Sequence, residues 1–262
     1  MAARPLVPPP PGKARVLETD LSATSYAESC RLIAAWALAG QPAYVCICNV
    51  HTVMEAHRSP AYAAVLNGAA IATPDGMPLV WALRRLGCPA QERVYGPDLL
   101  LEFAGFAAGR ADLPSYFYGG ADGVAAELAR TLTAKYPGFK VAGFESPPFR
   151  PLTPEEDAAA VERINSSGAR ILWVGLGAPK QELWMAEHLG KVKPVMIGVG
   201  AAFDFLTGRV RQAPRWMMRS GLEWLFRLAV EPRRLWRRYA VNNPHYLWHL
   251  GRQLARRKRG AS

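Results

Sequence analysis

Asp75 stands between Pro74 and Gly76, directly after the apolar run Ala69-Ala70-Ile71-Ala72. A carboxylate on a turn at a strand end is placed to take a proton as a general base; it can equally cap the helix that starts near Met77. Asn49 closes the preceding apolar run. An amide there can orient a substrate hydroxyl or hold its own loop. The richest stretch is Val174-Gly-Leu-Gly-Ala-Pro-Lys-Gln-Glu182, in which a Gly-Leu-Gly turn follows Ile171-Leu172-Trp173-Val174 and Pro179 stands where a helix begins. Glycines admit a ligand close to the backbone, and a helix start offers unpaired N–H groups and a positive dipole end. Such a turn can hold a nucleotide diphosphate, and Lys180 and Gln181 beside it make a candidate reaction site.

A frame of alternating elements must position these groups. Strand-like apolar runs recur at 43–48, 69–73, 115–118, 139–144, 171–176 and 195–199. Helical patterns lie between most of them, at about 24–39, 53–66, 77–86, 97–109, 122–136, 154–167 and 179–189. Thr153-Pro154-Glu155-Glu156 has a capping threonine, a proline at the first helical position and acids in the first turn. The alternation predicts an α/β fold, a Rossmann-like, mostly parallel sheet with helices on both faces. Ligands of such sheets bind at the carboxyl ends of the strands. That rule gathers Asn49, Asp75, Gly119, Gly120, Gly175, Gly177 and Gly200 on one rim.

Charge divides the chain. Of 32 Lys+Arg and 21 Asp+Glu, residues 209–262 hold 14 and 2, together with four of the eight tryptophans. The net charge of +11 therefore belongs to the tail. A near-neutral body with a basic, aromatic tail points to a polyanionic surface, whether membrane, nucleic acid or phosphorylated substrate. We read a disordered Pro-rich leader at 1–14, a catalytic body at 15–208 and a basic helical appendage at 209–262. In the appendage an amphipathic helix runs from Trp216 to Val230, Pro232 ends it, and a second helix starts at Arg233. An arginine-rich face opposite Trp and Leu suits a helix lying in an anionic membrane interface. The other reading is a helical pair packed on the body with its basic face solvated.

Several classes are disfavoured. Leu32–Met54 lacks charge, but Gly40-Gln41-Pro42, Asn49 and His51 interrupt it, so a helix, a turn and a buried strand fit better than a membrane span. Cys30, Cys46, Cys48 and Cys88 have no metal-ligand spacing and read as free thiols of a cytosolic protein, with Cys46 and Cys48 on one face of a strand. His51, His57 and His188 have no evident carboxylate partner and read as structural. No Asp-x-Asp occurs, so the expectation is no metal and no cofactor, with diphosphate charge met by helix starts and by Arg or Lys. An oxidoreductase or epimerase needs Gly-x-Gly-x-x-Gly after the first strand, where this chain has Asn49-Val50-His51-Thr52. A nucleic-acid-binding protein would use the tail but leave Asp75 and Gln181 without a task.

Longer motifs fall in a characteristic order: Pro74-Asp75-Gly76, Arg93-Val-Tyr-Gly-Pro-Asp98, Gly175-Leu-Gly-Ala-Pro-Lys-Gln-Glu182 and Gly198-Val-Gly-Ala-Ala-Phe-Asp204. Arg211-Gln-Ala-Pro214, Gly221-Leu-Glu-Trp-Leu-Phe-Arg227 and Glu231-Pro-Arg-Arg-Leu-Trp-Arg-Arg-Tyr239 follow. Over roughly residues 15–240 the chain resembles the WecG/TagA/CpsF glycosyltransferases of bacterial surface-polymer synthesis. The resemblance implies an inverting, metal-independent transferase that moves a sugar from a UDP-sugar to a polyprenyl-diphosphate-linked sugar. It implies Asp75 as base and Gln181 in the active site, and Asn49 joins them from its own place at a strand end. The co-substrate would sit at Gly119, Gly120, Gly175, Gly177, Lys180, Gly200 and Asp204. Arg227, Arg234 and Arg237 are the expected appendage arginines at the diphosphate. The implied location is peripheral, on the cytoplasmic face of the bacterial inner membrane. Lipid-linked acceptor and anionic membrane are the expected partners, nucleic acid is not, and the exposed apolar tail leaves a homo-oligomer open. Two positions depart from the family pattern: Ile47 stands where threonine is frequent, and Pro148-Phe149 replaces a Gly-Tyr-Phe stretch.

Overall fold

A computed structural model describes residues 7–260. The chain opens with an antiparallel hairpin, β1 (Lys13–Val16) and β2 (Thr19–Ser22). These four-residue, half-polar strands carry no clear alternation, which is why the sequence reading had the leader running to residue 14. Val7–Gly12 precede the hairpin without regular structure, and Pro8 is tied to the body by the Trp36 indole, which donates to its carbonyl at 3.0 Å. Residues 1–6 of the predicted leader lie outside the described residues.

The α/β body follows. α1 (Tyr26–Ala39) starts at Ser25, whose hydroxyl accepts the Glu28 N–H, and ends at Gly40 in the left-handed region. β3 (Tyr44–Cys48) leads into α2 (Val50–Arg58) and α3 (Pro60–Gly68). One continuous helix was expected there. Pro60 has no N–H to continue α2, and the Ser59 hydroxyl caps the new helix by accepting from Tyr62. β4 (Ile71–Pro74), α4 (Met77–Arg85) and α5 (Gly96–Ala107) come next. β5 (Ser115–Gly119), α6 (Val124–Lys135), β6 (Val141–Glu145) and α7 (Pro154–Ser166) continue the alternation. The capping box read at Thr153 and Glu156 is present. β7 (Ile171–Gly175), α8 (Lys180–Glu187), β8 (Val195–Gly198) and α9 (Ala202–Leu206) complete the body.

Six strands form one sheet in the order β4-β3-β8-β7-β5-β6, and every pairing is parallel. All carboxyl ends therefore share one rim, as the alternation predicts. Successive side chains of a strand point to opposite faces, and the core divides accordingly. Val45, Ile47, Phe117, Ile171 and Trp173 join α1, α5, α6 and α9 on one face. Cys46, Cys48, Tyr116, Tyr118 and Leu172 join α2, α3, α4, α7 and α8 on the other. Cys46 and Cys48 do share a face.

The appendage comprises α10 (Arg215–Arg219), α11 (Glu223–Val230) and α12 (Pro232–Gly260). The single helix expected over 216–230 is broken at Gly221, which has φ 76°. A Cβ at Gly221 would lie 2.7 Å from the Trp81 ring of α4, so only glycine lets the appendage backbone approach the body here. α12 runs back across the body. Its Leu235 and Tyr246 are buried, and Gln253 accepts from Leu17 N–H at the left-handed turn of the hairpin. Among the described residues no helix is long and apolar enough to cross a membrane.

Candidate active site

Strand register brings the two rim residues together. Cys48 pairs with Pro74, and the Asp75 N–H donates to Cys48 O at 2.8 Å. Asn49 and Asp75 thus leave neighbouring strands side by side. Asn49 caps α2: its Oδ1 accepts the His51 and Thr52 N–H groups at 3.0 and 3.3 Å. That leaves the amide N–H pair for the cavity. Asp75 does not cap α4, whose N-cap is Gly76 with no side-chain bond.

The Asp75 carboxylate turns to Arg93 instead. Arg93 Nη2 lies 3.0 Å from Asp75 Oδ1 and 2.6 Å from Glu223 Oε2 of α11, and its Nε donates to the Asp75 carbonyl. The Arg93 guanidinium also stacks over the Tyr95 ring at 4.2 Å. Asp75 is 16% exposed. Desolvation pushes its pKa up to about 6; Arg93 pulls it down and Glu223 pushes it up. A carboxylate poised there is ionised at neutral pH yet basic enough to accept a proton.

The two side chains border a cavity of about 600 Å³ between the body and the appendage. The body contributes Asn49, His51, Asp75 and Trp81; the appendage contributes Glu223, Arg227, Arg238 and Asn242. The Nε atoms of Arg227 and Arg238 are buried and find no hydrogen-bond partner among the described residues. Buried donors without partners are costly, so two cations held this way mark where an anion fits. Burial, then the Arg238 and Arg58 charges, push the His51 pKa down to about 4, so its ring is neutral at pH 7. Asn242 ties α12 to α2, donating to His51 Nδ1 at 3.1 Å and accepting from Arg58 at 2.5 Å.

Of the residues singled out from sequence, Asn49, Asp75 and Arg227 line this cavity. Gln181 lies elsewhere on the rim, 3% exposed. Its Oε1 accepts the Gly177 N–H at 3.2 Å and its Nε2 donates to Glu182 at 2.8 Å, so it braces the glycine turn. Gly119, Gly120 and Gly175 are required by packing: a Cβ at Gly119 would sit 2.5 Å from Gly175, and one at Gly175 3.0 Å from Phe203. Gly177 and Lys180 face open space at the start of α8, Gly200 adjoins Gln181, and Asp204 is half-buried in α9. Arg234 is exposed and paired with Glu231 at 2.8 Å, and Arg237 stacks on Trp236 at 5.3 Å; neither lines the cavity. Their neighbour Arg238 does.

Arg93, Glu223 and Arg238 were not singled out from sequence, and His51, read there as structural, lines the cavity. The signal for Arg238 was available: Leu235, Arg238, Asn242 and Tyr246 recur at three- and four-residue spacing, the face α12 turns to the body. His57 and His188 are structural as expected, but carboxylates distant in sequence partner them, Glu18 at 2.5 Å and Asp157 at 2.7 Å. Ile47 packs in the core against Gly96, and Phe149 projects into solvent before α7.

Comparison with known proteins gives the family. The profile of the Glycosyl transferase WecG/TagA/CpsF family matches residues 14–260. An N-acetylglucosaminyldiphosphoundecaprenol N-acetyl-beta-D-mannosaminyltransferase of Bacillus spizizenii is 32% identical over 207 residues, covering 78% of this chain and 77% of the relative. With the parallel sheet, the basic appendage and the ordered motifs, this match means that the chain is a glycosyltransferase of the WecG/TagA/CpsF family.

Proposed function

We propose that the enzyme transfers an N-acetylhexosaminyl or hexosyl group from a UDP-sugar to a polyprenyl-diphosphate-linked sugar, with inversion and without a metal ion, in surface polysaccharide synthesis. One observation carries the reading: an ionisable carboxylate, Asp75, borders the same cavity as two buried, unpartnered guanidinium donors. The relative's acceptor, named as an N-acetylglucosaminyl diphosphoundecaprenol, supports the lipid-linked class.

The chemistry follows from that placement. Asp75 takes the proton of the acceptor hydroxyl while that oxygen forms a bond to the anomeric carbon. The bond from the anomeric carbon to the diphosphate breaks on the opposite face, and its electron pair leaves on the UDP oxygen. Arg227 and Arg238 stabilise the charge that develops there, the role metal ions fill in other transferases. The Asn49 amide orients the acceptor hydroxyl. Gly177 and Lys180 at the start of α8, with Gly200 and Asp204, are the rim groups left for the nucleotide, and Gln181 holds the Gly177 turn in shape. Arg234 and Arg237, on the solvent side of α12, are exposed and available to anionic headgroups, which supports a peripheral position on the cytoplasmic membrane face.

The test is UDP release by the purified chain across a panel of UDP-sugars, with and without a short-chain polyprenyl-diphosphate-sugar acceptor. Acceptor-dependent release with one donor is expected and names the sugar. Release that ignores the acceptor, or silence from folded protein across the panel, overturns the reading.

A further inference from the structure

The cavity at Asp75 does not end at its polar groups. It continues between α4 and α12 as an apolar groove, floored by Met77, Pro78 and Ala82 and walled by Trp81, Leu250 and Leu254. On α12 the lining positions Asn243, Leu247, Leu250 and Leu254 form one stripe at helical spacing, spanning about 16 Å at ~1.5 Å per residue. On α4 the facing stripe is Met77, Trp81 and Arg85. Two bonds hold the helices together along this length: Tyr246 Oη donates to Pro78 O at 3.1 Å, and Arg257 to Leu86 O at 2.7 Å. The groove is therefore built, with Trp81 45% and Leu247 64% exposed along it.

We infer that this α4–α12 groove receives the hydrocarbon chain of an isoprenoid diphosphate, whose diphosphate shares the Arg227–Arg238 end of the cavity with the departing UDP. The inference rests on the lipid-linked acceptor reading and adds the path that the lipid takes. Continuity selects the occupant. One cavity carries two arginines with unmet Nε donors at one end and an apolar trough at the other, the pattern of an amphiphile with an anionic head and a long apolar tail. A partner helix would fill the trough but bring no anion to the polar end with which the trough is continuous. Trp248, 56% exposed beside Leu247, marks where a chain longer than the groove passes into a bilayer.

The experiment is direct binding of isopentenyl, farnesyl and geranylgeranyl diphosphate to the full-length protein, followed by tryptophan fluorescence below the micellar range. Affinity should climb with chain length, by about tenfold or more from the shortest to the longest probe, since each added methylene leaves water. Leu247→Glu and Trp81→Glu, which put charge into the trough at exposed positions, should flatten that climb. Equal affinity for all three probes overturns the groove, and so does a climb that both variants preserve. If chain length governs binding while no lipid-linked sugar acts as acceptor, the groove stands and the acceptor reading falls. If transfer proceeds with a KM indifferent to chain length, the acceptor reading stands and the groove falls.

Discussion

The α/β body and the appendage are held together by different means. In the body, both faces of the sheet are closed by continuous apolar clusters, and large side chains such as Trp36 and Trp173 are fully buried. In the appendage, α11 buries no residue completely, and α10 and α12 leave Trp216, Trp236 and Trp248 more than half exposed. Few apolar side chains anchor the appendage, chiefly Met218, Leu235 and Tyr246; the Gly221–Trp81 approach and polar ties from Arg215, Glu223, Asn242, Gln253 and Arg257 do the rest. The body therefore sets where Asp75 and Asn49 stand, while the cations at the cavity depend on a thinly packed neighbour. A site assembled from a rigid half and a lightly docked half can be completed or undone by whatever engages the exposed half, and an anionic membrane surface suits its charge.

The strongest test of that division is on the body side. Asp75→Asn should lower transfer by about 10²–10⁴-fold while leaving the melting temperature at or above that of the parent. The sign follows from its raised pKa. Ionising Asp75 costs the native state nothing below the ordinary value of 3.8, and the cost is fully present above about 6. At pH 7 the neutral amide removes it. Transfer that survives the substitution ends the base assignment.

Removing residues 209–262 should leave the far-ultraviolet spectrum of a folded α/β body and cost about 10²–10³-fold in transfer, the scale of lost charge stabilisation. Binding to anionic vesicles should go with it. Full activity on a lipid acceptor, or an unfolded body, breaks the comparison. Within the appendage, Leu235→Ala should destabilise docking by about 2–4 kcal/mol, whereas Trp248→Ala should change stability by no more than about 0.5 kcal/mol, as judged by thermal melts. Equal effects would show that the appendage is not anchored where its buried residues lie.

The smallest effect is at the contact between the halves. Glu223→Gln removes a negative charge that raises the Asp75 pKa and leaves Arg93 to Asp75 alone. The acidic limb of kcat/KM should move below pH 6, with little change on the plateau. An unmoved limb would mean that α11 does not influence the base.

Chelation by EDTA should leave the rate unchanged; a strict requirement for Mn²⁺ or Mg²⁺ refutes the role given to Arg227 and Arg238.

The elements of the body were legible because their signals are local. Six apolar runs became six strands, Thr153 and Glu156 capped α7, and parallel pairing follows from helices between strands. Asp75 and Asn49 were legible for the same reason, since strand ends of a parallel sheet share a rim wherever the strands fall in the order. The β1–β2 hairpin was not, because four-residue half-polar strands have no periodicity until they pair. The Ser59–Pro60 break was present in the sequence and was overridden by the longer helical pattern around it.

What the sequence alone determined, then, is the chemistry available: a strand-end carboxylate and amide, a glycine turn before a helix, and a basic, tryptophan-rich tail after a near-neutral body. Which of these meet was decided by tertiary structure. Gln181, promising beside its turn, points inward to brace it, and Arg238 reaches the cavity that Arg234 and Arg237 miss. Arg93 links Asp75 at the end of β4 to Glu223, 148 positions later in the numbering of the chain. Neighbouring arginines on a helix point about 100° apart, so composition cannot choose between them; only the face that α12 buries against α2 and α4 can.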